Sequence, residues 1–220
     1  VTLSDGFLWA PRWTADGRNI RYSAVRKDGD ALFSVPSDGS RPPEEFMRRP
    51  GGFYYSIFYS PDDRRVASVG CSVLKSKAEC LSSGNTLAVF TIGQPDSVLV
   101  VPGQRAVRGV FSPDGHWLAY TAREVDRDEV YVFSLDGSGS RWQVSRAGGG
   151  RPHWARDGRT IYFTANDSMY AAEWRSGASQ PVGGVRAVFR LGAFAAGGFD
   201  ALPGDSTFLM VAPNETEQAR

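Results

Sequence analysis

An Asp-Gly corner, set after an aromatic residue and before an apolar strand, recurs along this chain at near-constant spacing. The copies are Arg12-Trp13-Thr14-Ala15-Asp16-Gly17-Arg18, Phe58-Tyr59-Ser60-Pro61-Asp62-Asp63-Arg64, Val110-Phe111-Ser112-Pro113-Asp114-Gly115-His116 and His153-Trp154-Ala155-Arg156-Asp157-Gly158-Arg159. Asp16, Asp62, Asp114 and Asp157 stand 46, 52 and 43 residues apart, and a decayed fifth corner places Gly204 another 47 residues on. A period in the forties with several β runs inside it is that of a propeller blade, a small sheet that must stack on its neighbours to bury its apolar faces.

The third copy displays four strand signals. Residues 107–111, apolar but for Arg108, form the innermost strand; residues 116–123 alternate, with Trp117, Ala119 and Thr121 on one face and Leu118 and Tyr120 on the other. Residues 128–135 follow, then an Asp136-Gly137 turn and an outer strand over 141–145. The first copy repeats the order over 19–24, 31–35 and 45–48, while residues 175–184 lengthen the last connection of the fourth. The expected fold is all-β: a β-propeller of four-stranded antiparallel blades, four complete and part of a fifth. The single domain 1–220 divides into blades near 7–49, 50–103, 104–147 and 148–191, a partial blade 192–212 and a tail 213–220. Glycine (25) and proline (13) spread along the whole chain fit many short strands joined by tight turns.

The corner has a mechanical reading. Glycine accepts the positive φ of a tight hairpin, the preceding Asp accepts hydrogen bonds from the turn's own amides, and proline presets φ. Asp16, Gly17, Asp62, Asp114, Gly115, Asp157 and Gly158 are therefore turn formers rather than chemical groups.

The run Phe111-Ser112-Pro113-Asp114-Gly115-His116-Trp117-Leu118-Ala119-Tyr120 resembles the WD-like repeat of TolB-like propellers. Residues 149–163, 168–174 and 199–211 resemble the end of the propeller fused behind some bacterial serine/threonine kinases. Thr14-Ala15, Ala155-Arg156 and Gly204-Asp205 depart from the Ser-Pro and Asp-Gly pattern. The resemblance implies a ring of six or more blades, so the chain is expected to be part of a longer one, with a kinase or other effector domain upstream. Residues 1–3 then read as the outer strand of a blade begun earlier. It also implies an extracytoplasmic interaction or sensing module; the alternative is the propeller portion of a prolyl-oligopeptidase-like peptidase or a polysaccharide lyase.

Other function classes find little support. The net charge is +1, with 22 arginines and three lysines but no basic stripe of the kind nucleic acid requires. No apolar run approaches the ~18 residues of a membrane span. His116 and His153 have no accompanying Cys or carboxylate cluster, so no metal is expected. No G-x-S-x-G elbow or phosphate-binding loop occurs, Gly148-Gly149-Gly150 being followed by Arg151-Pro152. Neither a cofactor nor catalysis is expected from these residues.

Two features remain. Cys71 and Cys80 lie in the insertion between the second and third strands of blade two. A disulfide there contributes roughly 2–3 kcal/mol and implies an oxidising compartment; two free, small apolar thiols are the alternative. The connections between blades carry Arg49, Phe53, Tyr54, Arg105, Arg108, Arg146, Arg151 and Arg190. Arginine with aromatics is a composition favoured at interaction hot spots. The expected partner is a protein, a peptide or a small acidic ligand; arginines spent on pairing with neighbouring blades are the alternative.

Overall fold

The computed structural model describes residues 8–24, 31–48, 54–70, 86–124, 126–194, 199–201 and 207–211. The chain forms two compact units, residues 1–109 and 110–220. The first holds two four-stranded antiparallel sheets: β1 (Leu8–Trp13), β2 (Asn19–Ala24), β3 (Ala31–Pro36) and β4 (Glu44–Arg48), then β5 (Tyr54–Tyr59), β6 (Arg65–Gly70), β7 (Thr86–Thr91) and β8 (Gln94–Val100). A third sheet contains β9 (Gln104–Phe111), β10 (Trp117–Glu124), β11 (Arg127–Ser134) and β12 (Arg141–Gln143). The fourth contains β13 (Gly150–Trp154), β14 (Thr160–Ala165), β15 (Ser168–Trp174) and β16 (Val182–Arg190). Two strands of a fifth follow, β17 (Phe199–Ala201) and β18 (Phe208–Met210). Within every sheet the strands neighbour one another in chain order, the meander of a propeller blade. The fold is thus the expected all-β propeller, and the helical content of the described residues is one 3₁₀ turn at Gly192–Phe194.

Alternation gives each blade two faces, either of which can pack on a neighbouring blade of the same unit. In the first unit, Leu32 and Met47 of blade one close on Tyr59, Val66, Ala88 and Phe90 of blade two. In the second, Ala119, Val130, Val132 and Val144 of blade three close on Trp154, Ile161, Phe163, Ala172 and Trp174 of blade four. The opposite face of blade four packs Tyr162, Met169 and Ala171 against Phe199, Phe208 and Met210 of the partial blade. Trp117, Trp142 and Trp154 all meet Trp174 edge-on, with ring centroids 5.2–5.7 Å apart. Such edge-to-face contacts strengthen the seam beyond what burial alone provides.

The corners repeat down to single bonds. Thr14, Ser60 and Ser112 donate their hydroxyl protons to Asp16, Asp62 and Asp114 at 2.6, 2.6 and 2.5 Å. The same hydroxyls accept the amides of Asn19, Arg65 and Trp117 at 3.0, 2.8 and 3.0 Å. Each carboxylate, Asp157 included, also accepts the amide two residues on, at 2.8–3.1 Å. Gly17, Gly115 and Gly158 take positive φ, and in blade two Asp63 does so with φ 58°. Four residues before Thr14, Ser112 and Ala155, the innermost strand carries a left-handed residue: Ala10, Arg108 or Arg151. Around Ala10 and Arg151 the strand register slips, as at a β-bulge.

The strand boundaries of blade three differ from the sequence expectation, by one residue in β10 and β11 and by more in the inner and outer strands. The inner strand starts at Gln104 rather than residue 107, and the outer strand stops at Gln143 rather than residue 145. The second difference matters for function. Cys71, Cys80, the segment 1–3 and the corner at Gly204 lie outside the described residues.

Candidate ligand cleft between blades three and four

The outer strand β12 has three residues, against five in β4, seven in β8 and nine in β16. It ends early because a side chain takes over its pairing. Val144 N still donates to Val130 O at 2.8 Å, but Val130 N donates to Ser145 Oγ, also at 2.8 Å. The Ser145 hydroxyl in turn donates to Glu129 Oε2. Glu129 is 3% exposed and is satisfied further by Gly148 N at 3.0 Å and Arg127 Nε at 3.1 Å. A buried carboxylate is tolerated when donors surround it, and these donors hold the connection away from the sheet.

Two of the three consecutive glycines, Gly148 and Gly149, follow from that geometry. Gly148 has φ 91°. A Cβ on Gly149 would stand 2.6 Å from Ser145 Oγ and 3.1 Å from Phe163, so the connection folds back too closely on its own Ser145 for a side chain at that place.

Because β12 is short, part of the blade-four face is left uncovered, and a cleft of about 450 Å³ opens there. One wall is the connection itself, with Val144, Ser145, Arg146 and Ala147. The other comes from three successive strands: Phe163 and Ala165 on β14, Tyr170 on β15, and Val182, Gly183 and Val185 on β16. Phe163 and Tyr170 stack at 5.5 Å with their planes 15° apart. Val144 and Val182 continue inward to the tryptophan-lined core. At the rim sit exposed Arg146 and Asn166. Asn166 turns β14 into β15 with φ 50°, in a two-residue link between the paired Ala165 and Ser168; Asn is among the residues that tolerate that conformation. The volume lies within the about 300–1,000 Å³ of ligand pockets, and mostly apolar walls with few polar groups are their usual lining.

Of the residues singled out in sequence, Arg146 lies in the cleft. Arg105 and Arg108 belong to β9 and are exposed. Arg151 is half-buried in β13, its amide donating to Thr121 Oγ1 at 3.2 Å. Arg190 is exposed at the end of β16, opposite Ser168 and hence at the Asn166 end of the blade. Tyr54 opens β5, while Arg49 and Phe53 are outside the described residues. His116 is exposed just past its corner, whereas His153 sits against Phe199 with Nε2 3.7 Å from Asp200. Among the described residues, no group of three or more His, Cys, Asp or Glu side chains is arranged to hold a metal ion, and no helix is long and apolar enough to cross a membrane. Phe163, Tyr170, Val182 and Val185 were not singled out in sequence; the glycine run and the long connection over 175–184 were the available signals.

No protein-family model matches the sequence, and no curated protein matches it. Solved structures do. TolB from Acinetobacter baumannii superposes with a TM-score of 0.58 at 16% identity, over 84% of this chain and 44% of that one. An oligogalacturonate lyase in complex with manganese gives 0.68 at 10% identity, over 93% and 58%. A prolyl endopeptidase gives 0.63 at 15% identity, over 91% and 31%. The chain thus spans less than half of that TolB. At such identities the likeness establishes the β-propeller fold, which binding proteins and enzymes share.

Proposed function

We propose that this TolB-like propeller is a non-enzymatic binding module for a protein, a peptide or a small acidic ligand, forming the extracytoplasmic part of a larger bacterial signalling protein. One observation carries the reading: a preformed apolar cleft opens beside an inter-blade connection and has a cationic rim. The chemistry of its walls favours binding over catalysis. Ser145 is buried, its hydroxyl donates to a Glu129 carboxylate that Gly148 N and Arg127 also engage, and neither His116 nor His153 lines the cleft, so the hydroxyl is held as a structural hydrogen-bonding group. Exposed Arg105 and Arg190 have no carboxylate within ion-pair distance among the described residues, which leaves them available to an acidic partner.

The test is capture of a fluorescein-labelled oligoglutamate peptide, read by anisotropy at two salt concentrations. The native chain binds and an Arg105→Gln/Arg190→Gln variant of unchanged melting temperature binds at least about fivefold more weakly. Equal binding by both proteins refutes the use of these arginines.

The likeness to a lyase and an endopeptidase supports a second reading, a propeller serving an enzyme whose catalytic residues lie outside this chain. A fused hydrolase or lyase domain in the full reading frame favours it; a kinase domain followed by an apolar span favours the first.

A further inference from the structure

We infer that the cleft between blades three and four receives the C-terminus of a partner polypeptide ending in an apolar residue, with the last side chain between the cleft walls and the terminal carboxylate on Arg146. The inference deepens the binding role proposed above and rests on it.

Charge selects the head group. Arg146 stands exposed at the rim with no carboxylate at ion-pair distance among the described residues. Glu129, beneath the connection, is already covered by Ser145, Gly148 and Arg127, and Glu173, whose carboxylate lies against Gly183, is paired with Arg175 at 2.6 Å. An incoming carboxylate therefore meets a guanidinium with free donors and no bare anion, and guanidinium matches carboxylate in a two-pronged hydrogen bond.

The walls select the tail. The stacked Phe163 and Tyr170 share one wall with Val182, Val144 lies on the other, and Val185 is 47% exposed although it borders the same space. Phe163 and Val144 are already buried and make the floor apolar, while half-buried Tyr170 and Val182 and exposed Val185 offer surface that an apolar group can cover; the volume leaves room for one large side chain and the backbone attached to it.

The strand beside the cleft favours a polypeptide over a free organic acid. Among the described residues, β16 is the outer edge of its sheet and pairs with β15 alone. It contributes Gly183 and Val185 to the cleft, and Gly183-Gly184 present no side chain to an approaching main chain. An extended tail can thus add hydrogen bonds along the edge while its terminus enters the cleft, the combination of strand addition and carboxylate capture used by peptide-binding domains.

The experiment uses the whole chain and fluorescein-labelled hexapeptides ending in phenylalanine, as free acid and as amide, with 3-phenylpropanoate as the free-acid competitor. The free-acid peptide is expected to bind saturably, and the amide about tenfold more weakly. Arg146→Gln should erase the difference between them, Arg146→Lys should restore part of it, and Val185→Ser should weaken both peptides alike. Both positions are exposed, so melting temperatures should stay at the native value. Equal binding of acid and amide by the native chain, or no binding of either, overturns the inference. Competition by 3-phenylpropanoate at the peptide's own affinity overturns the polypeptide assignment. If oligoglutamate binds while these peptides do not, the cleft assignment alone falls; if neither binds, the binding role falls with it.

Discussion

Asp63 shows how one residue can break the repeat and still strengthen it. It occupies the corner position held by glycine in the other blades, with φ 58°, a conformation that costs an ordinary L residue about 1–2 kcal/mol. The side chain is employed across the blade seam: Oδ2 accepts Ala15 N at 2.6 Å and Oδ1 accepts Arg21 Nη1 at 3.3 Å, while the Asp63 carbonyl accepts the same Nη1 at 3.0 Å. Arg12 and Arg21 also lie over Tyr59, whose hydroxyl is pushed up to about 12 by burial, against the opposing pull of the two cations. Replacing Asp63 by Ala keeps the strain and loses the bonds; replacing it by Gly loses the bonds and relieves the strain. Urea unfolding should rank native above Asp63→Gly and Asp63→Gly above Asp63→Ala, with about 1 kcal/mol between the variants. A glycine variant more stable than the native chain would contradict the seam's role. Trp13 is the counter-example at the aromatic position before the corner. It is 57% exposed, where Tyr59, Phe111 and Trp154 are 4–6% exposed. Trp154→Ala should cost about 3–5 kcal/mol, and Trp13→Ala well under half of that by the same measurement.

At the scale of the element, the corner is a small hydrogen-bonded device whose parts can be exchanged. Ser112→Ala removes both the bond to Asp114 and the acceptor for Trp117 N, and should lower stability by about 1–2 kcal/mol. Ala155 is the copy without a hydroxyl, in the same buried position. Ala155→Ser should raise the unfolding midpoint, because Asp157 already receives Arg159 N at 2.8 Å and lacks only the missing donor; a lower midpoint would show that the methyl's packing against Tyr162 and Met169 matters more. The corners were legible in sequence because each is local: Asp, Gly and the hydroxyl lie within four residues. The end of β12 was not. Trp142 and Val144 continue the alternation of an outer strand, and no periodicity reveals that the Ser145 side chain replaces a main-chain partner of Val130. The cleft was illegible for a related reason. Its apolar wall joins Phe163, Tyr170 and Val182 from three strands, each of which reads as ordinary core until the neighbouring strand is seen to be short. Arg146 was legible as a cation in a connection, but its position over an apolar cavity depends on the bends at Gly148 and Gly149.

Across the whole molecule, the carboxyls of Asp16, Asp62, Glu124 and Asp136 make stability depend on acid. Hydrogen bonds from Thr14 and Ser60 hold the carboxyls of Asp16 and Asp62 below their ordinary range, and those from Ser138, first its side chain and then its amide, lower Asp136 to about 2. Arg141 lowers Glu124 in the same sense, chiefly through a hydrogen bond. A carboxyl that is more acidic folded than unfolded stabilises the fold above the unfolded value, about 4, and that contribution disappears as pH falls through the folded value. Melting temperature should therefore be level at neutral pH and fall between about pH 4 and pH 2. Asp136→Asn should flatten the lower part of that fall, and an unchanged profile would show that this corner is not coupled to global unfolding.

In each of the four blades an acidic corner joins the first two strands of an antiparallel sheet held in one register. Cross-strand nuclear Overhauser effects between backbone protons read that register residue by residue. Contacts should link Tyr22 with Phe33, Ala67 with Val89, Tyr120 with Tyr131 and Tyr162 with Ala171. Strong sequential amide–amide contacts through those segments, or pairings displaced by one residue, would contradict it.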